Sequence, residues 1–280
     1  MRELQPEEQA YVLEYYKTHS NRDIEKTLGI THRELIRFLK DKGLYVYKPR
    51  YSLCNDKYFD VIDDEHKAYW LGFIFADGYL SAPPSRPNSQ PRVGIALQAG
   101  DGYLLEQFKK DIAFSGEVKY YYTGKSSFKI SQYGRIIITS STLVNSLLRC
   151  GCKYHKSLGI EFPSEDVLEQ SLIRHFIRGY FDGDGGLSGF LCHDKNYNLD
   201  YWKYTLSFTG TKEMLDAIKH HLGKDSLKLM KRYNDKKNNH TLNICGNHQI
   251  VNILDWLYED ATIYMLRKHD KYQLIKALVG

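Results

Sequence analysis

No apolar stretch in this 280-residue chain is long enough to cross a membrane: the longest, Ala68 to Ala76, is about half of the roughly 20 residues that a span requires. The N-terminal MRELQPEEQ lacks the apolar segment of a secretory signal, so the expectation is an intracellular protein, cytoplasmic or nucleoid-associated, neither secreted nor inserted in a membrane. Cysteine is sparse as well. Cys54, Cys150, Cys152, Cys192 and Cys245 make an odd number with no CxxC pair, which argues against a disulfide framework or a zinc site and for reduced thiols. Nor is there a strong excess of charge of one sign, the net being +5 from 39 Lys and Arg against 34 Asp and Glu.

What the chain does have is local asymmetry. With 42% hydrophobic residues it can bury one sizeable core and a small second one. The basic residues are clustered: Thr31 to Arg50 carries six against two acids, and Lys224 to Lys237 again six against two. The 23 tyrosines interleave with lysine in stretches such as EVKYYYTGKSSFKIS. Any one cluster is compatible with a solvated face; several together favour a polyanionic partner.

From Pro6 to Leu44 apolar residues recur every three to four positions (Val12, Leu13, Tyr16; Ile24, Leu28; Leu35, Ile36, Leu39), which predicts three short amphipathic helices, N-capped at Asn21 and Thr31 and ended by Gly29 and Gly43. NRDIEKTLGITHRELIRFLKDKGL resembles a helix-turn-helix DNA-binding unit with LGIT as its turn, and the resemblance puts His32, Arg33 and Arg37 of the third helix on the DNA. A three-helix module that binds protein has the same pattern. The stretch 46–64 lacks a helical stripe and reads as a linker.

Beyond Asp64 the chain repeats itself. An apolar helix ending in Ala76-Asp77-Gly78 is followed by the strand VGIALQ, the helix LLEQFKKDI, the hairpin EVKYYYTGKSSFKIS and the helix STLVNSLLRCG; after Asp184-Gly185 come YTLSFT, EMLDAIKHHL, SLKLMKRYNDKKNNHTLNIC and QIVNILDWLYE. Each half reads αββαββα, with one strand falling in the segment after each Asp-Gly. Gly72 and Ala76, like Gly179 and Gly183, are small residues four apart on one helical face, so two such helices can meet at backbone contact and bring Asp77 and Asp184 together. Each carboxylate then sits at a helix C-terminus beside a like charge, two penalties that a divalent cation removes.

WLGFIFADG and IRGYFDGDG resemble the paired signature of the LAGLIDADG homing endonuclease family of the monomeric, two-motif type, over residues 65–280. Trp70 and Leu71 replace the leading pair, Phe75 the first aspartate and Arg178 an alanine, while the acid before the final glycine is kept in both copies. The resemblance implies an α+β fold of two pseudo-symmetric αββαββα halves forming a DNA-binding saddle (65–163 and 164–280), preceded by a small all-α helix-turn-helix module (1–45). It implies a monomer that cuts double-stranded DNA with two or three Mg²⁺ ions. Asp77 and Asp184 hold the metal, Lys156 and Lys268 polarise water or stabilise the reacting phosphate, and Gln98 and Thr209 orient solvent. Lys119, Tyr121, Lys129, Ser131, Lys203, Lys228, Lys231, Arg232 and Asn243 fall on the DNA side, strand alternation setting Val118, Tyr120 and Tyr122 opposite Lys119 and Tyr121, and Leu242 and Ile244 opposite Asn243. Alternation alone also fits any antiparallel sheet with one wet face. The same scaffold serves non-cleaving DNA-binding regulators and RNA-binding intron maturases.

Overall fold

A computed structural model describes residues 2–19, 21–45, 52–82, 90–122, 132–154, 159–231 and 238–279. The chain divides into two compact units, Met1–Arg50 and Tyr51–Gly280.

The first unit is three helices, α1 (Pro6–Tyr15), α2 (Asn21–Leu28) and α3 (His32–Asp41). Thr31 caps α3: its hydroxyl accepts the Glu34 N–H, and the Glu34 carboxylate accepts the Thr31 N–H at 2.8 Å. Asn21 is the first residue inside α2 rather than its cap. Gly29 and Gly43, at φ +64° and +67°, take the left-handed conformation that stops a helix at little cost to glycine. Leu4, Val12, Ile24, Ile30, Leu35, Phe38 and Leu39 form a core of their own. Leu13 is left out of it, 44% exposed.

The second unit holds the repeat. Its first half runs α4 (Glu65–Ala76), β1 (Tyr79–Ser81), β2 (Arg92–Gln98), α5 (Gly102–Asp111), β3 (Lys119–Tyr122), β4 (Gln132–Thr139) and α6 (Ser141–Arg149). The second half runs α7 (Ile173–Asp184), β5 (Gly185–Asp194), β6 (Leu199–Gly210), α8 (Lys212–His221), β7 (Met230–Lys231), β8 (His240–Cys245) and α9 (Asn247–Tyr258). Both sheets are antiparallel and share one topology, β1-β2-β4-β3 and β5-β6-β8-β7. The expected fold, two αββαββα halves of helix and antiparallel sheet behind a small helical unit, is the fold observed.

Alternation sorts each sheet into two faces. Ile95, Leu97, Ile136 and Ile138 of the first sheet, with Leu206, Phe208, Leu242 and Ile244 of the second, are buried in one continuous core with the inner sides of the helices. Their strand neighbours point the other way, so among the described residues each sheet turns a second, more exposed face away from the helices of the core.

Three features depart from the sequence reading. The first hairpin, read as EVKYYYTGKSSFKIS and followed directly by a helix, has a described return strand beyond that stretch, β4 at Gln132–Thr139, while residues 123–131 lie outside the described residues. The linker expected over 46–64 ends by Ser52, because Leu53 exchanges hydrogen bonds with Ser115, Asn55 donates to Ile112, and Tyr58, Phe59 and Ile62 are buried in the core. A further helix, α10 (Leu266–Val279), follows the repeat and buries Lys268, Tyr272 and Ile275. Those positions have helical spacing, but one of the three is a lysine, which hides the stripe from a hydrophobicity pattern.

Candidate active site

The site is built where α4 and α7 cross. A Cβ added at Gly72 would lie 2.0 Å from the Phe176 carbonyl oxygen, and one at Gly179 would lie 2.0 Å from that of Tyr69. The contact repeats with an offset of 107 residues in both directions, Gly72 to Gly179 and Tyr69 to Phe176, which is the pseudo-twofold of the repeat expressed as packing. Further along, a Cβ at Gly183 would meet the Ala76 Cβ at 2.3 Å. The helices therefore touch backbone to backbone for about two turns, and their C-terminal ends arrive together carrying Asp77 and Asp184. Asp77 is exposed and Asp184 half-buried.

Arg178, which breaks the signature pattern, has a structural reason. Its guanidinium is fully buried and donates to the carbonyls of Leu257 and Ile263, to His175 Nδ1 at 2.9 Å and to Glu65 Oε1 at 2.5 Å. Glu65, at the start of α4, also accepts from the Thr262 N–H and hydroxyl. One ion pair thus ties α4, α7 and the α9–α10 turn together, with each of the three guanidinium nitrogens hydrogen-bonded. Burial, reinforced by the Arg178 charge, holds the His175 imidazole down at about 4. An unfolded chain takes up a proton there below the ordinary histidine value near 6.5, whereas the folded one stays neutral until about pH 4. Stability is therefore expected to fall as the pH drops from 6.5 to 4, by about 2–3 kcal/mol from this group. Urea midpoints across that range should decline more steeply for the wild type than for His175→Gln, which has no proton to take up.

Lys268 reaches the C-terminal end of α7 from α10. Its ammonium is buried and donates to the carbonyls of Phe181, Asp182 and Gly185, so all three of its N–H groups are used on the turn that carries Asp184. Burial lowers this ammonium to about 8, against the pull of Asp182, Asp77 and Asp184. Asp182, two residues before Asp184, is fully buried. Its Oδ2 accepts from the Tyr69 hydroxyl at 2.9 Å and the Met265 N–H at 2.7 Å, while its Oδ1 has no partner among the described residues. Burial raises the Asp182 carboxyl, and Lys268 opposes the rise. The family resemblance pointed to Lys268, but not to its three carbonyl partners, nor to Asp182, Met265 or Tyr69 as the frame around the turn.

Thr209 of β6 lines a cavity of about 270 Å³ together with Asp184 and Tyr180. The sheet register, which pairs Gly185 with Phe208, sets Thr209 level with Asp184. In the first half the register continued from Tyr79↔Gly94 sets Ala96 level with Asp77, and Gln98 lies two residues beyond, exposed and paired with Tyr133. The two polar positions are therefore not equivalent. Lys156 lies outside the described residues, as do Lys129, Ser131 and Arg232.

On the more exposed faces, Lys119 and Tyr121 point away from the core beside Arg135 and Tyr133. In the second sheet Lys203, Thr205, Ser207, Thr209 and Asn243 do the same. Lys231 does not. It pairs with His240, whose strand parity is that of buried Leu242 and Ile244, so Met230 takes the place beside Asn243. Lys228 is exposed outside any strand. In the helical unit His32 and Arg33 are exposed, with His32 Nδ1 2.6 Å from Glu25, while Arg37 donates to the Arg2 carbonyl at 2.8 Å.

The donor set suits Mg²⁺. Two carboxylates reach the end of the helix pair within the field of Lys268, and among the described residues no group of three or more His, Cys, Asp or Glu side chains forms a separate metal cage. Hard oxygen donors that leave positions for water and phosphate are what this ion takes, and Asp77 and Asp184 would hold it. The five cysteines are free thiols, and no described helix is long and apolar enough to cross a membrane.

Comparison with solved structures places this architecture. The chain is similar to the I-LtrWI LAGLIDADG homing endonuclease bound to target DNA (TM-score 0.53, 12% identity, 80% of this chain and 91% of that one). It is also similar to the meganuclease I-SmaMI bound to uncleaveable DNA (TM-score 0.52, 13% identity, 75% and 88%) and to the LAGLIDADG meganuclease I-AabMI bound to uncleaved DNA (TM-score 0.51, 12% identity, 77% and 90%). The second unit thus has the LAGLIDADG endonuclease fold. No family model matches the chain. Among curated sequences it is 27% identical over 182 residues to the replication factor C small subunit of Methanocaldococcus jannaschii, a match over 61% of this chain that spans 9% of the length of that protein.

Proposed function

We propose that this chain is a site-specific, divalent-metal-dependent endonuclease of the homing type that cuts both strands of duplex DNA. The observation that carries the reading is the convergence of one aspartate from each half, Asp77 and Asp184, at the end of a helix pair held at backbone contact by Gly72 and Gly179. A like-charged pair at two helix C-termini costs stability in a protein that does not use it. Two halves, each with its own acid and sheet, match the two strands of a duplex.

Magnesium bound there would supply Lewis-acid polarisation of the phosphate and an activated water. The chain's own residues do the rest. Lys268 fixes the turn from which Asp184 projects and places a positive charge near both carboxylates. The Thr209 hydroxyl, beside Asp184, holds solvent in the cavity they share. Lys268 is a positioning and electrostatic group, and Lys268→Ala should slow cleavage by roughly 10²–10³-fold with little change in affinity. Because its ammonium titrates at about 8, the cleavage rate should fall as the pH rises through that value while duplex binding persists. A rate independent of pH from 7 to 9 would remove the charged lysine from the mechanism.

The helical unit lengthens the recognised site. Its third helix, α3, carries the exposed His32 and Arg33 that the helix-turn-helix resemblance puts on DNA. Removing residues 1–50 should shorten the footprint at one end, weaken binding and flatten its salt dependence, and leave cleavage intact at saturating protein. An unchanged footprint and salt slope would assign that unit to a protein partner instead.

A further inference from the structure

We infer that Arg135 reads a guanine in the half-site under the first sheet, held for that task by a stack of two tyrosines; the inference rests on the duplex-binding reading above. Arg135 lies on β4, an interior strand, and points from the more exposed face between Ala96 of β2 and Lys119 of β3. Its guanidinium carbon sits 5.1 Å from the centre of the Tyr121 ring, and Tyr121 stacks on Tyr133 at 5.5 Å with 23° between the planes. Among the described residues it forms no ion pair, although Glu117 lines the same small groove.

Each observation bears on the ligand. A guanidinium held over a ring keeps its fork of N–H donors in one plane, free at the edge, and loses little further freedom on forming two parallel hydrogen bonds. In the major groove, guanine is the base that presents two adjacent acceptors, N7 and O6, to such a fork. In the proposed docking Arg135, on interior strand β4, faces base edges and Lys119, on edge strand β3, faces the backbone, the contacts that respectively specify and position. The small Ala96 neighbour leaves the approach open.

The test selects bound duplexes from a randomised pool with the full chain in magnesium-free buffer, then sequences them for the wild type, Arg135→Ala, Tyr121→Leu and Lys119→Ala. The wild type should favour guanine at one position of one half-site by about 10-fold or more. Arg135→Ala should lose that preference and no other. Tyr121→Leu, which keeps the arginine and removes its platform, should weaken the preference at the same position. Lys119→Ala should bind all duplexes less well, with the salt slope reduced by about one phosphate contact. If Arg135→Ala weakens every duplex equally, or changes nothing, the assignment is overturned and the stack is a phosphate anchor or a brace for β3. A wild type that binds no duplex overturns the proposed function and this inference with it.

Discussion

Asp77→Asn and Asp184→Asn should each lower double-strand cleavage by at least about 10³-fold while duplex binding is retained, because each removes a carboxylate from the metal donor set and leaves both sheet faces untouched. Asparagine keeps the volume. Each acid meets both a helix C-terminus that disfavours it and the Lys268 ammonium that attracts it, so the stability of each variant should change by no more than about 1 kcal/mol. Loss of cutting with stability kept is the signature of a residue kept for chemistry. Single-turnover cleavage and thermal melts on the same preparations read both quantities. A variant that still cuts both strands at the wild-type rate removes that aspartate from the site.

Gly72→Ala and Gly179→Ala should each destabilise the second unit by at least about 3 kcal/mol, the upper end for overpacking, because the added methyl meets a backbone oxygen of the partner helix at 2.0 Å and neither backbone can yield without opening the other contact. Gly100→Ala is the matched control. Nothing lies within 4 Å of its added Cβ, and its effect should stay within about 0.5 kcal/mol. Urea unfolding of the three variants decides the matter. A midpoint for Gly72→Ala equal to that of Gly100→Ala would mean that the helices are not at backbone contact.

The parts of this molecule that were legible in the sequence are those fixed by local pattern. The two Asp-Gly ends, the small residues four apart before them and the alternation of Leu242, Thr241, Ile244 and Asn243 each concern neighbours in the chain, and the crossing of α4 with α7 and the buried and open faces of β8 follow from them. What escaped depends on pairs distant in sequence. Arg178 meets Glu65 across 113 residues, and Lys268 meets Phe181 across 87, so neither partner can be found by spacing along one element. Register was lost where a hairpin turn has no fixed length signal. Ending the first hairpin at Ser131 left Tyr133 and Arg135 unread, and in the second hairpin the same uncertainty put Lys231 on the wrong face. The stretch 52–64 read as a tether because its three buried residues, Tyr58, Phe59 and Ile62, span little more than one turn, too short for a stripe to show.

Cleavage of both strands by a two-carboxylate site is tested most directly by incubating the full chain with a duplex library, with and without Mg²⁺, and sequencing the ends produced. Paired ends are expected, one cut on each strand at a constant offset within one preferred sequence, present only with the metal and absent for Asp77→Asn and Asp184→Asn. Duplex bound in a sequence-specific way but left intact at every Mg²⁺ concentration, or ends that persist in both variants, would contradict it.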